Sequence, residues 1–204
     1  MVPRFLTLSL IAFVLLSGSV MQPARAGFGV ESIQPPDDAR QAQVDQRAVG
    51  VWQATIQGKK YFLHVGVGNI SPQSHWMEVV LVNQGEPGEQ SFYVHHKLGF
   101  PSTIGNNRVF SIADTSKTLE QLRNSGLKEL LEAVGRYDIY KYDVTEDYLD
   151  VWAANQDFIR DSIQAGKIKG NGASIHDTSD NLLHFIESSV SSLFPKPIRF
   201  VRVK

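Results

Sequence analysis

Gly50-Val51-Trp52-Gln53-Ala54-Thr55-Ile56 is the stretch on which the reading of this chain turns. Over residues 51–57, Trp52, Ala54 and Ile56 fall on one side, and Gln53, Thr55 and Gln57 on the other. That period of two is the signature of a strand with one face on a core. Gly58-Lys59-Lys60 then supplies a hairpin connection to residues 61–67. There Tyr61, Leu63, Val65 and Val67 alternate with Phe62, His64 and Gly66.

Working outward, residues 75–82 are apolar on both faces for much of their length, which predicts a strand covered on both sides. Residues 90–97 and 108–114 predict two more strands, with a turn at Gly85 to Gly88 and another bracketed by Phe100-Pro101 and Gly105-Asn106-Asn107. The period then becomes helical. Leu119, Leu122, Leu127, Leu130, Leu131 and Val134 recur over residues 116–134, interrupted at Asn124-Ser125-Gly126, with Gly135 as the stop. This stripe is read as core. Strands follow at residues 137–144 and 148–153 around the turn Thr145-Glu146-Asp147. A helix over residues 156–165 ends at Gly166, and a short extended piece covers residues 173–176. A last helix over residues 181–193 is capped by Ser179 and stopped by Pro195 and Pro197. Residues 198–203 close the chain as a strand. Strands joined by hairpin-length turns predict a mainly β (α+β) protein, an antiparallel meander closing into a barrel with peripheral helices. An open sheet backed by the helices is the alternative.

Residues 1–26 have the form of a secretory signal: Arg4, an apolar run from Phe5 to Leu16, and Ala24-Arg25-Ala26 as the cleavage site. The run falls short of the ~20 apolar residues that a membrane-spanning helix needs, so no stable membrane span is expected. Residues 27–49, with Pro35-Pro36-Asp37-Asp38, read as a polar lead-in without a core element, and residues 50–204 as the barrel domain with inserted helices. The expected location is periplasmic or secreted. The formal net charge of −1 gives no general attraction to nucleic acid, and the absence of cysteine excludes thiol, cysteine–metal and disulfide chemistry.

Gly50-Val51-Trp52 resembles the G-x-W signature on the first strand of lipocalin and wider calycin barrels. Thr145-Glu146-Asp147-Tyr148 resembles that family's T-D-Y turn between two late strands, with one extra residue. The resemblance implies that Trp52 plugs the closed end, with Arg199 or Arg202 packed across it, although the family places its Arg before the closing helix. The second half is also similar to a group of uncharacterised exported bacterial proteins. The matching residues are Tyr140-x-Tyr142-x-Val144, Asp147-x-Leu149-x-Val151, Ala165-Gly166-Lys167-Ile168-Lys169-Gly170 and Thr178-Ser179-Asp180-Asn181-Leu182. That likeness brings no activity with it.

The chain offers little to catalysis. His95 and His96 are adjacent and point to opposite faces of a strand, while His64 and His96 would meet, beside Glu78, only across strands. No H-x-H or H-x-x-x-H spacing supports a site, so neither metal nor cofactor is expected. Ser174, His176 and Asp177 are too close in sequence to converge as a triad, and there is no G-x-S-x-G elbow. Glu146, Asp147 and Asp150 sit in or beside an exposed turn, and Gly66-Val67-Gly68 lacks the helix a phosphate cradle requires. The reading is therefore non-catalytic. Trp76, Phe92, Tyr140, Tyr142 and Trp152, with His96 at the rim, are the residues expected to line a cavity for a small hydrophobic or amphipathic ligand. If the barrel is filled instead, the partner expected is another envelope protein, met through the helices.

Overall fold

A computed structural model of the chain describes residues 29–38, 40–68, 76–84, 92–115, 119–122 and 127–204. The strands are β1 (Val30–Ser32), β2 (Gly50–Ile56), β3 (Lys59–Val67), β4 (Met77–Gln84), β5 (Phe92–Ile104), β6 (Asn107–Thr115), β7 (Val134–Val144), β8 (Tyr148–Trp152), β9 (Gly170–Asn171), β10 (Ser174–Ile175) and β11 (Pro197–Arg202). The helices are α1 (Leu119–Leu122), α2 (Leu127–Ala133), α3 (Gln156–Gln164) and α4 (Ser179–Leu193).

The meander closes. Strands β2 to β8 pair in sequence order, each antiparallel to the next, and β11 joins β8 to β2, giving an eight-stranded antiparallel barrel. The connection between β6 and β7 carries α1 and α2, and a longer excursion between β8 and β11 carries α3, β9, β10 and α4. At the first hairpin Gln57 and Gly58 both take positive φ, 51° and 81°, as a two-residue turn matched to strand twist demands. Lys59 and Lys60 therefore belong to β3, not to the connection.

Two expected breaks are absent for local reasons. β5 runs straight through Phe100-Pro101, because its ladder with β4 ends at the Met77–Gly99 pair. Among the described residues no ladder partner lies on that edge of β5 beyond the pair, so the missing proline N–H breaks no β4–β5 ladder bond among them. Gly135 does not stop a helix but lies inside β7, beside a register shift at Asp114/Thr115 where the strand is bulged.

Pleat alternation sorts the apolar residues into two cores. Trp52, Tyr61, Val65, Met77, Tyr142, Leu149 and Phe200 fill the inside of the barrel. Leu98, Phe100, Ile104, Val109 and Ile139 point out of the same wall and pack with Ile159 of α3 and Leu182, Phe185 and Ile186 of α4. Leu122 and Leu130 are fully buried, so the helical leucine stripe does feed the core. Asn155 caps α3 by accepting from the Phe158 N–H, and Thr178, in place of Ser179, caps α4 by accepting from Asn181. The lead-in contributes more than its polarity suggests. β1 pairs with the first half of β7, on the edge that β8 takes further along, and Val30 and Ser32 are fully buried. Among the described residues no helix is long and apolar enough to cross a membrane.

Candidate functional site

One end of the barrel is sealed. Trp52 is fully buried and its Nε1–H donates to the Ala48 carbonyl at 2.9 Å. Arg202 lies opposite it on β11, with its guanidinium 4.0 Å from the indole centroid. The same group donates to the carbonyls of Glu146 (2.6 Å), Arg47 (2.7 Å) and Val49 (3.0 Å). It thus ties the β7–β8 turn and the lead-in to the plug. Arg199, an odd number of residues away, faces outward and forms a forked pair with Asp150 at 2.7 and 2.8 Å. The lead-in is pinned further by Asp45, which accepts from Tyr142 Oη at 3.1 Å and from Arg47. Burial alone would raise the Asp45 pKa, but the bonds from Arg47 and Tyr142 hold it below the usual carboxylate range.

Beyond the plug the inner wall is less completely packed. Leu63, Leu81, Phe110, Val151 and Ile198 share the inward face with the plug residues, yet all are only half-buried. An inward-pointing side chain in a closed barrel meets water chiefly through the lumen. Near the rim the inner wall becomes charged. Lys97 on β5 reaches Asp114 on β6 at 3.4 Å, and Arg136 on β7 bridges Asp114 (2.9 Å) and Glu31 on β1 (3.1 Å). Asp138 and Tyr140 follow on the same face of β7, and His95 precedes Lys97 on the same face of β5. Burial, reinforced by Lys97, holds His95 below the usual imidazole range. Burial and the nearby Asp138 push the Tyr140 hydroxyl well up, so it stays protonated. The inner face thus carries apolar residues around Trp52, the aromatic rings of Phe110, Tyr140 and Tyr142, and a collar of charged residues toward the β6–β7 end.

Of the residues expected to line one cavity, only Tyr140 and Tyr142 face inward. Trp76 is fully buried in the outer core, its ring 5.1 Å from that of Phe100. Phe92 stands 58% exposed on the outer face. His96 is also on the outer face, 3.3 Å from Glu78. Trp152 faces out beneath Lys141, whose Nζ lies 3.6 Å from its ring centroid. The inward residues that the sequence did not single out (Glu31, Lys97, Asp114, Arg136 and Asp138), and His95, which it weighed only beside His96, are isolated polar residues whose common face emerges only from the cross-strand register.

His64 and His96 share a row on the outer face but are separated by Val80 on β4. Among the described residues no group of three His, Asp or Glu side chains is placed to hold a metal ion. Ser174 Oγ does meet His176 Nε2 at 3.1 Å, but Asp177 turns away to bind Lys169 N, Thr178 N and Asn181. That carboxylate organises the start of α4 and not a charge relay.

Asp138, like His95 with its buried and unpartnered Nε2, is an unsatisfied group of the collar. Its Oδ1 is occluded without a hydrogen-bond partner. Burial pushes its carboxyl above the usual range; Glu31 and Asp114 add to the shift, while Arg136 and Lys97 oppose it. With the folded-state pKa above the unfolded one, the stability it contributes is complete below the unfolded value of about 3.9 and is lost as pH rises through the folded value. We therefore expect Asp138→Asn to be more stable than the parent at neutral pH, by about 0.5–2 kcal/mol. The gap should close as the pH is lowered toward the carboxylate range. Urea midpoints at the two pH values check this, and a variant that is less stable at neutral pH would show the carboxylate to be well paired. No family model, curated protein or solved structure matches this chain, and the reading of the site rests on its geometry.

Proposed function

We propose that this protein is an exported, non-catalytic carrier of the lipocalin-like kind, binding a small amphipathic molecule in the barrel lumen. The observation that carries the reading is the half-burial of Leu63, Leu81, Phe110, Val151 and Ile198, inward residues of a closed barrel whose inward neighbours, such as Trp52, Tyr61 and Val65, are buried. A filled barrel would bury such inward side chains completely, whereas ligand sites keep apolar walls with a few convergent polar groups. The lipocalin-like assignment is supported by the Trp52–Arg202 stack and by the bond from Arg202 to the Thr145–Tyr148 turn. Export to the periplasm or medium, and kinship with the exported bacterial group, are supported by residues 1–26, which lie outside the described residues, and by the second-half motifs.

A second reading, an envelope interaction protein, is favoured by a different surface. Among the described residues, the outer face around Phe62, Val82, Val94 and Phe92, on β3, β4 and the start of β5, lies away from the layer that α3 and α4 cover. Phe62, Val82 and Val94 are cross-strand neighbours there, with Val94 64% exposed and Phe92 beside them. A contiguous apolar face of this kind marks many interaction sites. The face is on the sheet, not along the helices. Native mass spectrometry of the protein purified from its own source separates the two readings. We expect a monomer carrying a small molecule of discrete mass. A bare protein that also fails to take up a hydrophobic fluorophore would overturn the carrier reading, and a bound second polypeptide would favour the outer face.

A further inference from the structure

Along β1, β5, β6 and β7 the inner collar does not balance its charges. Among the described residues Lys97 and Arg136 face three carboxylates, Glu31, Asp114 and Asp138. Arg136 is taken up by Asp114 and Glu31, and Lys97 by Asp114. Asp138 is left over. It lies directly across from Glu31, a like-charged pairing that disfavours the fold. Its Oδ1 is shut away from water with no partner. A carboxyl group in this state costs stability, and because Asp138 is only half-buried it is the exposed part of the side chain that a group inside the barrel could meet.

What could pair with it is limited by the neighbours. Tyr140 lies two residues along the same face, and Phe110 is directly across from Tyr140 on β6. A carboxylate beside aromatic rings is the setting in which a cationic nitrogen gains both a charge-assisted hydrogen bond and contact with a π face. An anionic head group would fare badly. The basic residues beside Asp138, Lys97 and Arg136, are already engaged, and Asp138 would repel it. His95, held neutral by burial and Lys97, adds no competing cation.

We propose that the ligand of the lumen carries a protonated amine, seated against Asp138 with its apolar part directed down toward Phe110, Leu63 and Leu81. This rests on the carrier reading above and narrows it to cationic amphiphiles. The test is calorimetric titration of the full chain with decylamine, decanol and decanoate, each below its micelle-forming concentration. Decylamine should bind about tenfold more tightly than decanol, as expected for a charge-assisted bond, with decanoate the weakest. In Asp138→Asn the amine-to-alcohol preference should vanish, while in Asp143→Asn, which removes a carboxylate from the outer wall, it should persist. Decanoate binding as tightly as decylamine, or a preference that survives in Asp138→Asn, would overturn the amine assignment while leaving the carrier reading intact. Failure of all three probes to bind, or binding unaffected by filling the lumen with Leu81→Trp, would instead overturn the carrier reading itself.

Discussion

Trp52→Ala should lower the unfolding free energy by about 3–5 kcal/mol, the range for removing a large aromatic from a packed core. The indole is fully buried, and nothing else from β2 can fill its volume, since the next inward residue along the strand is Ala54. The loss goes beyond area. Removing the ring strips Arg202 of the face it lies against at 4.0 Å, although its bonds to Glu146, Arg47 and Val49 would remain. A double-mutant cycle with Arg202→Met should therefore show coupling of about 0.5–2 kcal/mol, the span measured for cation–π pairs from exposed to desolvated settings. Urea denaturation of the four proteins gives both numbers. If Trp52→Ala is nearly neutral, the ring does not seal the barrel and the lipocalin-like reading loses its main support.

The same corner shows what local sequence can and cannot reveal. The G-x-W pattern is readable because each of its residues meets a strict local demand. Gly50 has φ of +147°, and a Cβ there would lie 2.6 Å from Arg202 Nη1, so a side chain would displace the arginine. Choosing between Arg199 and Arg202 was beyond the sequence, since it depends on the cross-strand partner, and it is Arg202 that pairs with Trp52. Parity explains the cavity residues as well. A shift of one residue flips a side chain through the wall, and Trp76, Phe92, His96 and Trp152 all fall on the outer side. β1 was illegible for another reason. Its three residues sit in a polar, proline-flanked segment, and their burial is supplied by β7 and β10, far away in sequence. Asp138 gave no signal at all: a lone acid between tyrosines reads as solvated until the register places it inside.

Phe100→Ala should cost a comparable 3–5 kcal/mol and should do so without splitting the unfolding transition. The ring is fully buried outside the barrel, with Trp76 at 5.1 Å and Tyr137 edge-on at 6.0 Å. It belongs to the layer that α3 and α4 build against β5, β6 and β7. These strands serve both cores: Phe110 and Tyr142 point into the lumen from the same wall whose other side carries Val109, Ala113 and Ile139. Loss of packing on one face therefore loosens the backbone that positions the other, and a cavity left by Phe100 should be felt by the lumen. Far-UV circular dichroism and tryptophan fluorescence, which samples Trp76 in the outer core and Trp52 in the lumen, should give coincident midpoints in parent and variant. Midpoints that separate only in the variant would mean that the helical layer is an independent appendage. The excursion between β8 and β11 would then be a decoration on the barrel, and not the support that lets its far side stay open.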